Sequence, residues 1–177
     1  MARHPKTGSS DRMEFLTWLE NLSFGRWVAN STSIWAYPSV LTLHTIGMGL
    51  LAGTIAIVDL RILGVAPVIP LAPMESFLPV MWLGFWMNAL SGTTLFIAGA
   101  TRHATNPFFY IKMTCIALGV VNIRLLTRRV FRSSIRADAA PIPMMDRVLA
   151  STSLALWTGA ITAGRLMAYY NGGGGRS

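Results

Sequence analysis

Six polar side chains lie near the ends of long apolar stretches, and their chemistry suits an anionic or oxygen-bearing ligand. They are His44, Arg102, His103, Asn106, Lys112 and Arg165. No carboxylate lies within the apolar stretches at this end to pair with the cationic groups. We therefore expect the group to accept an anion, a lipid phosphate, a haem propionate or a quinone carbonyl.

Two histidines of this group could also ligate a haem iron. His44 and His103 belong to neighbouring apolar stretches and would lie on the same side of a helical bundle, which permits an axial pair for b-type haem. The alternative is that each imidazole only forms hydrogen bonds. The position of His103 at the expected water boundary favours this second interpretation.

Thioether groups near His44 raise the possibility of a copper(I) site. Met48 follows His44 by four residues and projects from the same helical face, and Met113 and Met167 are expected in the same layer. Methionine is also the usual gap filler of apolar cores, and the cationic side chains nearby would repel a metal ion. Packing is therefore the favoured interpretation.

The opposite end of the protein should hold a buried carboxylate. Asp59 and Arg61 lie at the end of the first apolar stretch, on the same predicted membrane surface as Arg124 and Arg128. A carboxylate in a membrane needs a cationic partner. We therefore expect Asp59 to form an ion pair with one of these arginines, and a structural ion pair is favoured over proton carriage.

Four apolar stretches must position these residues. The chain has 177 residues, of which 53% are apolar and only 12% charged, too little charge for a soluble domain of this size. Four segments reach the length of about 20 residues that a helix needs to cross a bilayer. They are 38–63, 74–100, 107–126 and 148–170.

The predicted fold is all-α: a polytopic membrane protein with four transmembrane helices in an antiparallel bundle. Residues 1–37 form an N-terminal segment, residues 38–170 the transmembrane domain, and residues 171–177 a flexible glycine-rich tail. Asn106 can cap the third helix ahead of Pro107, and Gly64 can end the first. Pro79 falls inside the second segment, where we expect a bend.

Small residues four apart predict where the helices approach each other closely. The candidate positions are Gly49 with Gly53, Gly84 with Asn88 and Gly92, and Gly159 with Ala163. Asn88 and Asn122 are expected to form hydrogen bonds between helices, because an unpaired amide in hydrocarbon is costly. The single cysteine, Cys115, is expected to be a packing residue.

The N-terminal segment contains a predicted amphipathic helix. Asp11 followed by Glu14 indicates a capping box. Apolar residues then recur at helical spacing opposite charged ones, namely Phe15, Trp18, Leu19, Leu22 and Trp27 opposite Arg12, Glu20 and Arg26. This helix could lie in the headgroup region, or it could pack as a short helix on the end of the bundle.

Basic residues predict the orientation in the membrane. Five arginines lie between the third and fourth segments, namely Arg128, Arg129, Arg132, Arg136 and Arg147. Short cytoplasmic loops hold an excess of basic residues, so we expect this connection in the cytoplasm and both termini in the periplasm. The formal net charge of +8 is explained by topology and anionic lipids. The expected partner is therefore the lipid bilayer and not a nucleic acid.

A combination of short motifs resembles a known family. The motifs are His44 in the first segment, Asp59-Leu60-Arg61-Ile62-Leu63-Gly64 at its end, Thr105-Asn106-Pro107-Phe108-Phe109 leading to Lys112-Met113, and Gly164-Arg165 before Ala168-Tyr169. From about Trp27 to Tyr170 the chain is similar to the bacterial four-helix membrane proteins of the DUF6644 family, whose function is not established. The resemblance implies a bacterial inner-membrane protein and directs tests to His44, Asp59, Arg61, Asn106, Lys112 and Arg165.

Several classes of function are compatible with these features. The favoured one is a non-catalytic membrane module or partner subunit, which acts with other membrane-protein subunits or as a homo-oligomer. The alternatives are a haem- or quinone-binding redox subunit, a small permease and a copper(I)-handling protein. The sequence shows no nucleophile with histidine and carboxylate neighbours, no phosphate-binding glycine loop and no zinc-ligand spacing, which disfavours an enzyme.

Overall fold

Every element described in the structure is helical. The computed structural model describes residues 8–22, 36–65, 67–130 and 142–172. In chain order the elements are α1 (Gly8–Glu20), α2 (Ala36–Leu63), a 3₁₀ helix (Ala72–Phe77), α3 (Leu78–Ile97), α4 (Ala100–Ala104), α5 (Pro107–Val130) and α6 (Met144–Gly172). Arg26, Trp27, Arg132, Arg136 and residues 173–177 lie outside the described residues.

Three helical segments are long and apolar enough to cross a membrane. They are Tyr37–Leu63, Pro73–Ile97 and Pro107–Val130. The fourth predicted segment lies within α6, which has 29 residues and therefore sufficient length. Among the described residues, α6 is not one of the segments that are apolar enough by composition to cross a membrane.

Local residues set several helix ends as the sequence predicted. The Asn106 carboxamide oxygen accepts a hydrogen bond from the Phe108 N–H at 2.9 Å, which confirms Asn106 as the cap of α5. Gly64 adopts a φ of 90°, and the Val65 N–H donates to the Leu60 carbonyl at 3.0 Å, which confirms that Gly64 ends α2.

Pro79, at which a bend is predicted, lies where the 3₁₀ helix passes into α3. It belongs to the first turn of α3, directly after the 3₁₀ helix. A first-turn proline leaves no helical hydrogen bond unmade, so no bend is required.

Glycines bring α2 and α3 into backbone contact, but at a different position on α2 from the one predicted. A Cβ atom added to Gly47 would lie 2.8 Å from the Asn88 backbone nitrogen, and one added to Gly84 would lie 2.7 Å from that of Leu51. The close approach predicted at Gly49 and Gly53 is wrong, since nothing lies within 4 Å of a Cβ at either position.

The helices α5 and α6 pack antiparallel along most of their lengths. The Trp157 ring lies against Gly119, and the Cys115 Sγ would be 3.4 Å from a Cβ atom on Gly159. Ala163 is buried, in agreement with the predicted close packing. Buried side chains from α2, α3, α5 and α6 meet in one apolar cluster, which includes Leu51, Ile55, Met81, Ile123 and Trp157.

The N-terminal helix packs against α4. Its Leu16 side chain is buried, whereas Phe15 and Trp18 are each 58% exposed and stack on each other with ring centroids 5.8 Å apart. The capping box predicted at Asp11 is wrong, because α1 begins at Gly8 and Asp11 lies within its first turn.

Candidate functional site

The His44 side chain is held by α3. Its Nδ1 atom lies 3.0 Å from the Ser91 hydroxyl oxygen, and that hydroxyl donates its proton to the Met87 carbonyl at 2.6 Å. With its proton directed to Met87, the Ser91 hydroxyl accepts from His44, and His44 then donates through Nδ1. The Nε2 atom of the neutral imidazole is then left with its lone pair.

The position of the His44 ring also explains why residue 92 is a glycine. A Cβ atom on Gly92 would lie 3.1 Å from the His44 Cε1 atom, so a larger residue would press on the imidazole. The sequence predicted Gly92 as a helix-packing position, and the structure shows that it makes room for this side chain.

His103 also leaves its Nε2 atom without a proton, but a different contact orients its ring. Its Nδ1 lies 2.8 Å from the Gly99 carbonyl oxygen, which can only accept, so Nδ1 carries the proton and Nε2 the lone pair. Phe96 packs edge-on against the ring with centroids 6.3 Å apart. Burial and the positive charges of Arg102 and Lys112 lower the pKa of His103, and Glu20 partly offsets this effect.

Lys112 is a third polar side chain at this end of the molecule. It lies on α5, and its positive charge helps to lower the pKa of His103. The Cδ, Cε and Nζ atoms extend over Gly164 of α6, 3.7 to 3.8 Å from the position of an added Cβ. We refer to His44, His103 and Lys112 as the cationic centre.

The other three predicted site residues have different surroundings. Asn106 is 1% exposed, and its amide donates to the Met167 carbonyl at 3.3 Å, which ties the start of α5 to α6. Arg102 and Arg165 are exposed. Arg102 acts on His103 electrostatically. Within the described residues, no hydrogen bond or ion pair joins Arg165 to the centre.

Sequence reasoning missed one carboxylate at this end of the molecule. The Glu20 side chain at the end of α1 accepts hydrogen bonds from the Thr101 N–H at 2.8 Å and the Thr101 hydroxyl at 2.5 Å. It thereby caps α4 from another helix. The sequence offers no local signal for this contact, because the two residues are 81 positions apart.

Two of the methionines proposed for copper have described surroundings. Met113 is 47% exposed on the surface of α5, and Met167 contributes its backbone carbonyl to Asn106. The described part of the chain also contains no group of three or more histidine, cysteine, aspartate or glutamate side chains that could hold a metal ion. The structure therefore adds no support to a copper site.

Asp59 lies at the opposite end and is 1% exposed. Among the described residues, no ion pair joins it to the predicted arginines. Arg61 donates from Nε to the Ile69 carbonyl, and the Arg124 guanidinium lies 5.7 Å from the centroid of the Trp82 ring. Arg128 is exposed.

A different ion pair forms at this end of the molecule. Arg129 of α5 contacts the carboxylate of Asp146 at the start of α6, with Nε and Oδ1 3.1 Å apart. The sequence analysis did not predict this pair.

A comparison with known protein families matches almost the whole chain. A family model described as a family of unknown function, DUF6644, matches residues 15–170. The chain belongs to the DUF6644 family. This confirms the resemblance seen in the sequence motifs and extends it to Phe15, so the C-terminal part of α1 belongs to the DUF6644 region. No curated protein and no solved structure matches the chain.

Proposed function

We propose that this DUF6644 protein is a non-catalytic module of the bacterial plasma membrane that binds a ligand through an anionic or hydrogen-bond-accepting oxygen. The observation that carries the proposal is Lys112, a half-buried cation within a membrane-spanning helix. Ionisable side chains in such positions are costly and usually serve function.

The charge balance around Lys112 supports an anionic ligand. Within the described residues, no ion pair joins Lys112 to a carboxylate. The Glu20 carboxylate lies on this side, and its hydrogen bonds go to Thr101. An oxygen from a lipid phosphate, a propionate or a quinone would supply the acceptor that Lys112 lacks.

The same proposal treats α6 as the fourth membrane span. A helix of 29 residues is about 43 Å long, which exceeds the hydrocarbon thickness of about 30 Å. Contacts between α6 and the spanning helix α5 extend from Gly164 beside Lys112 to Asp146 beside Arg129. A helix paired with a spanning helix over this length crosses the membrane with it.

A haem-binding redox subunit is the second candidate, and one observation favours it. Both imidazoles use Nδ1 for a hydrogen bond and leave Nε2 as an acceptor. Histidines that ligate metals are commonly oriented in this way by a partner at the other ring nitrogen. His44 and His103 are the residues that would hold the iron.

Lipid binding by purified protein tests the first proposal. We expect phosphatidylglycerol to raise the melting temperature of the protein more than phosphatidylcholine does, because a ligand that binds the native state stabilises it. In Lys112→Met, the difference between the two lipids should be lost. Arg128→Met is the matched control, since it removes one positive charge from an exposed site at the other end of α5.

The outcome distinguishes the two candidates. Equal losses in Lys112→Met and Arg128→Met would show only general charge attraction and would contradict the lipid-phosphate form of the proposal. The absorption spectrum of the same preparation tests haem: a Soret band that shifts on reduction and disappears in His44→Ala would favour the redox subunit.

A further inference from the structure

Four buried polar atoms in the described residues have no hydrogen-bond partner. They are Asp59 Oδ2, Asn122 Oδ1, Ser153 Oγ and Trp157 Nε1. Buried polar groups in proteins are nearly always satisfied by protein atoms or ordered water. Four exceptions on three adjoining helices therefore call for a common explanation.

These atoms lie at similar heights along the helix axes, which we call one level of the molecule. The Ser153 hydroxyl is the polar group that acts on the Asp59 carboxyl, although the two do not reach the geometry of a proper hydrogen bond. Trp157 faces Gly119, and α5 and α6 run antiparallel. Asn122 follows Gly119 by three residues and Ser153 precedes Trp157 by four, so Asn122 is level with Ser153.

The charged groups around this level are engaged elsewhere or exposed. On the Asp59 helix, Arg61 donates to the Ile69 carbonyl. On α5, Arg124 lies over Trp82 and Arg128 is exposed. Arg129 and Asp146 pair with each other, and Glu75 of the 3₁₀ helix and Arg147 of α6 are exposed.

A buried carboxylate without a counter-charge is prohibitively costly. Its charge must therefore be removed by a proton or balanced by a small cation. The Asn122 and Ser153 oxygens could serve either solution, because each can accept a hydrogen bond or contact a cation.

Trp157 decides between these solutions. Its indole N–H is only a donor, and its positive hydrogen would repel a cation held at this level. A water molecule, in contrast, can accept from Trp157 and donate to Asn122 or Ser153. One buried water typically makes about three hydrogen bonds.

We propose that Asp59, Asn122, Ser153 and Trp157 form a buried site that binds one proton, on the Asp59 carboxyl, and one water molecule. The protonated carboxyl donates to the water or to a neighbouring oxygen, and the indole N–H donates to the water. This site is separate from the cationic centre and does not depend on the proposed ligand.

Infrared spectroscopy of the purified full-length protein tests the proposal. The carbonyl stretch of a neutral carboxylic acid is distinct from carboxylate bands, and the chain has only seven aspartate and glutamate residues. We expect a neutral-acid band at neutral pH that is lost in Asp59→Asn. The control Asp146→Asn, which removes a carboxylate paired with Arg129, should keep the band.

Three results would overturn the proposal. They are the absence of the band in the wild-type protein, a band that persists in Asp59→Asn, and a band that is present in choline buffer but absent in sodium buffer. The last would identify a sodium site. If Asp59→Asn does not fold, Asn122→Leu supplies the readout: the band should move to higher frequency as hydrogen bonding weakens, and an unmoved band would contradict the site.

Discussion

At the scale of single residues, His44 and His103 carry the proton on the same ring nitrogen, Nδ1, but different partners orient the two rings. Ser91 orients His44 through a hydroxyl whose own proton is directed to Met87, whereas a backbone carbonyl orients His103. In both rings Nε2 keeps its lone pair. The cationic centre therefore combines two acceptor nitrogens with the positive charge of Lys112, which suits a ligand that has both a donor and an anionic oxygen.

His103 should make stability depend on pH. Its pKa in the folded protein is lowered from the ordinary value of 6.5, so the unfolded chain binds the proton more strongly. Stability should be fully present above pH 6.5 and fall as the pH drops from 6.5 towards the folded pKa. Melting temperatures of the wild-type protein and His103→Gln across this range measure the effect.

The variant His103→Gln should lose less stability on acidification than the wild-type protein. Glutamine retains a donor for the Gly99 carbonyl but does not titrate. Identical pH profiles for the two proteins would show that His103 is not the group responsible.

Sequence reasoning predicted that the site residues share one end of the bundle but could not assign their partners. The antiparallel order of the helices is enough to bring His44, His103 and Lys112 to one end. The contact between Glu20 and Thr101 and the shared level of Asp59 and Ser153 depend on how each helix is rotated and docked, and neither property is encoded locally.

At the scale of helices, glycine position sets the contact between α2 and α3. Both Gly47 and Gly84 place bare backbone against backbone, whereas Gly49 and Gly53 face open space. The sequence could identify a glycine-rich helix but not which glycine faces the neighbour. Gly47 lies two residues before Gly49, and this offset corresponds to opposite faces of a helix.

We expect alanine at Gly47 or Gly84 to lower the free energy of unfolding by about 1–3 kcal/mol, because the helices must separate to admit a methyl group. Gly49→Ala and Gly53→Ala are matched controls on α2 and should be neutral or slightly stabilising. Unfolding in denaturing detergent, followed by circular dichroism, measures the stability of all four variants. Equal losses at Gly47 and Gly49 would contradict the packing.

Helix ends were predictable where side chain and backbone act locally. The Asn106 cap and the positive φ of Gly64 follow from residue type. The start of α1 was not predictable from Asp11 and Glu14, because the helix extends one further turn to Gly8. Pro79 was likewise compatible with a bend or a first turn, and only the preceding 3₁₀ helix distinguishes them.

At the scale of the whole molecule, the all-helical fold follows from composition. Three segments are long and apolar enough to cross a membrane, and α6 has the length but is not one of them. It lies against both α2 and α5.

The proposed four-span topology places both termini on the same side. In a Cys115→Ala background, single cysteines at Ser9 and Ser177 should react with a membrane-impermeant thiol reagent added to intact cells. Arg132→Cys, between α5 and α6, should react only after the cells are opened. Cys115 is the single native cysteine, so the background is free of other thiols.

Either of two results would contradict this arrangement. Reaction of Arg132→Cys in intact cells would reverse the orientation derived from the arginine distribution. Reaction of Ser9→Cys without Ser177→Cys, or the reverse, would show an odd number of spans and remove α6 as the fourth.

The hydrogen bonds between Glu20 and Thr101 impose an order on biosynthesis. The two residues are 81 positions apart, so at about 5–20 residues per second the ribosome needs about 4–16 s after making Glu20 before Thr101 exists. During this interval the Leu16 face of α1 has no α4 to cover it. The Leu16 side chain can gain this cover only after the second predicted span has been translated.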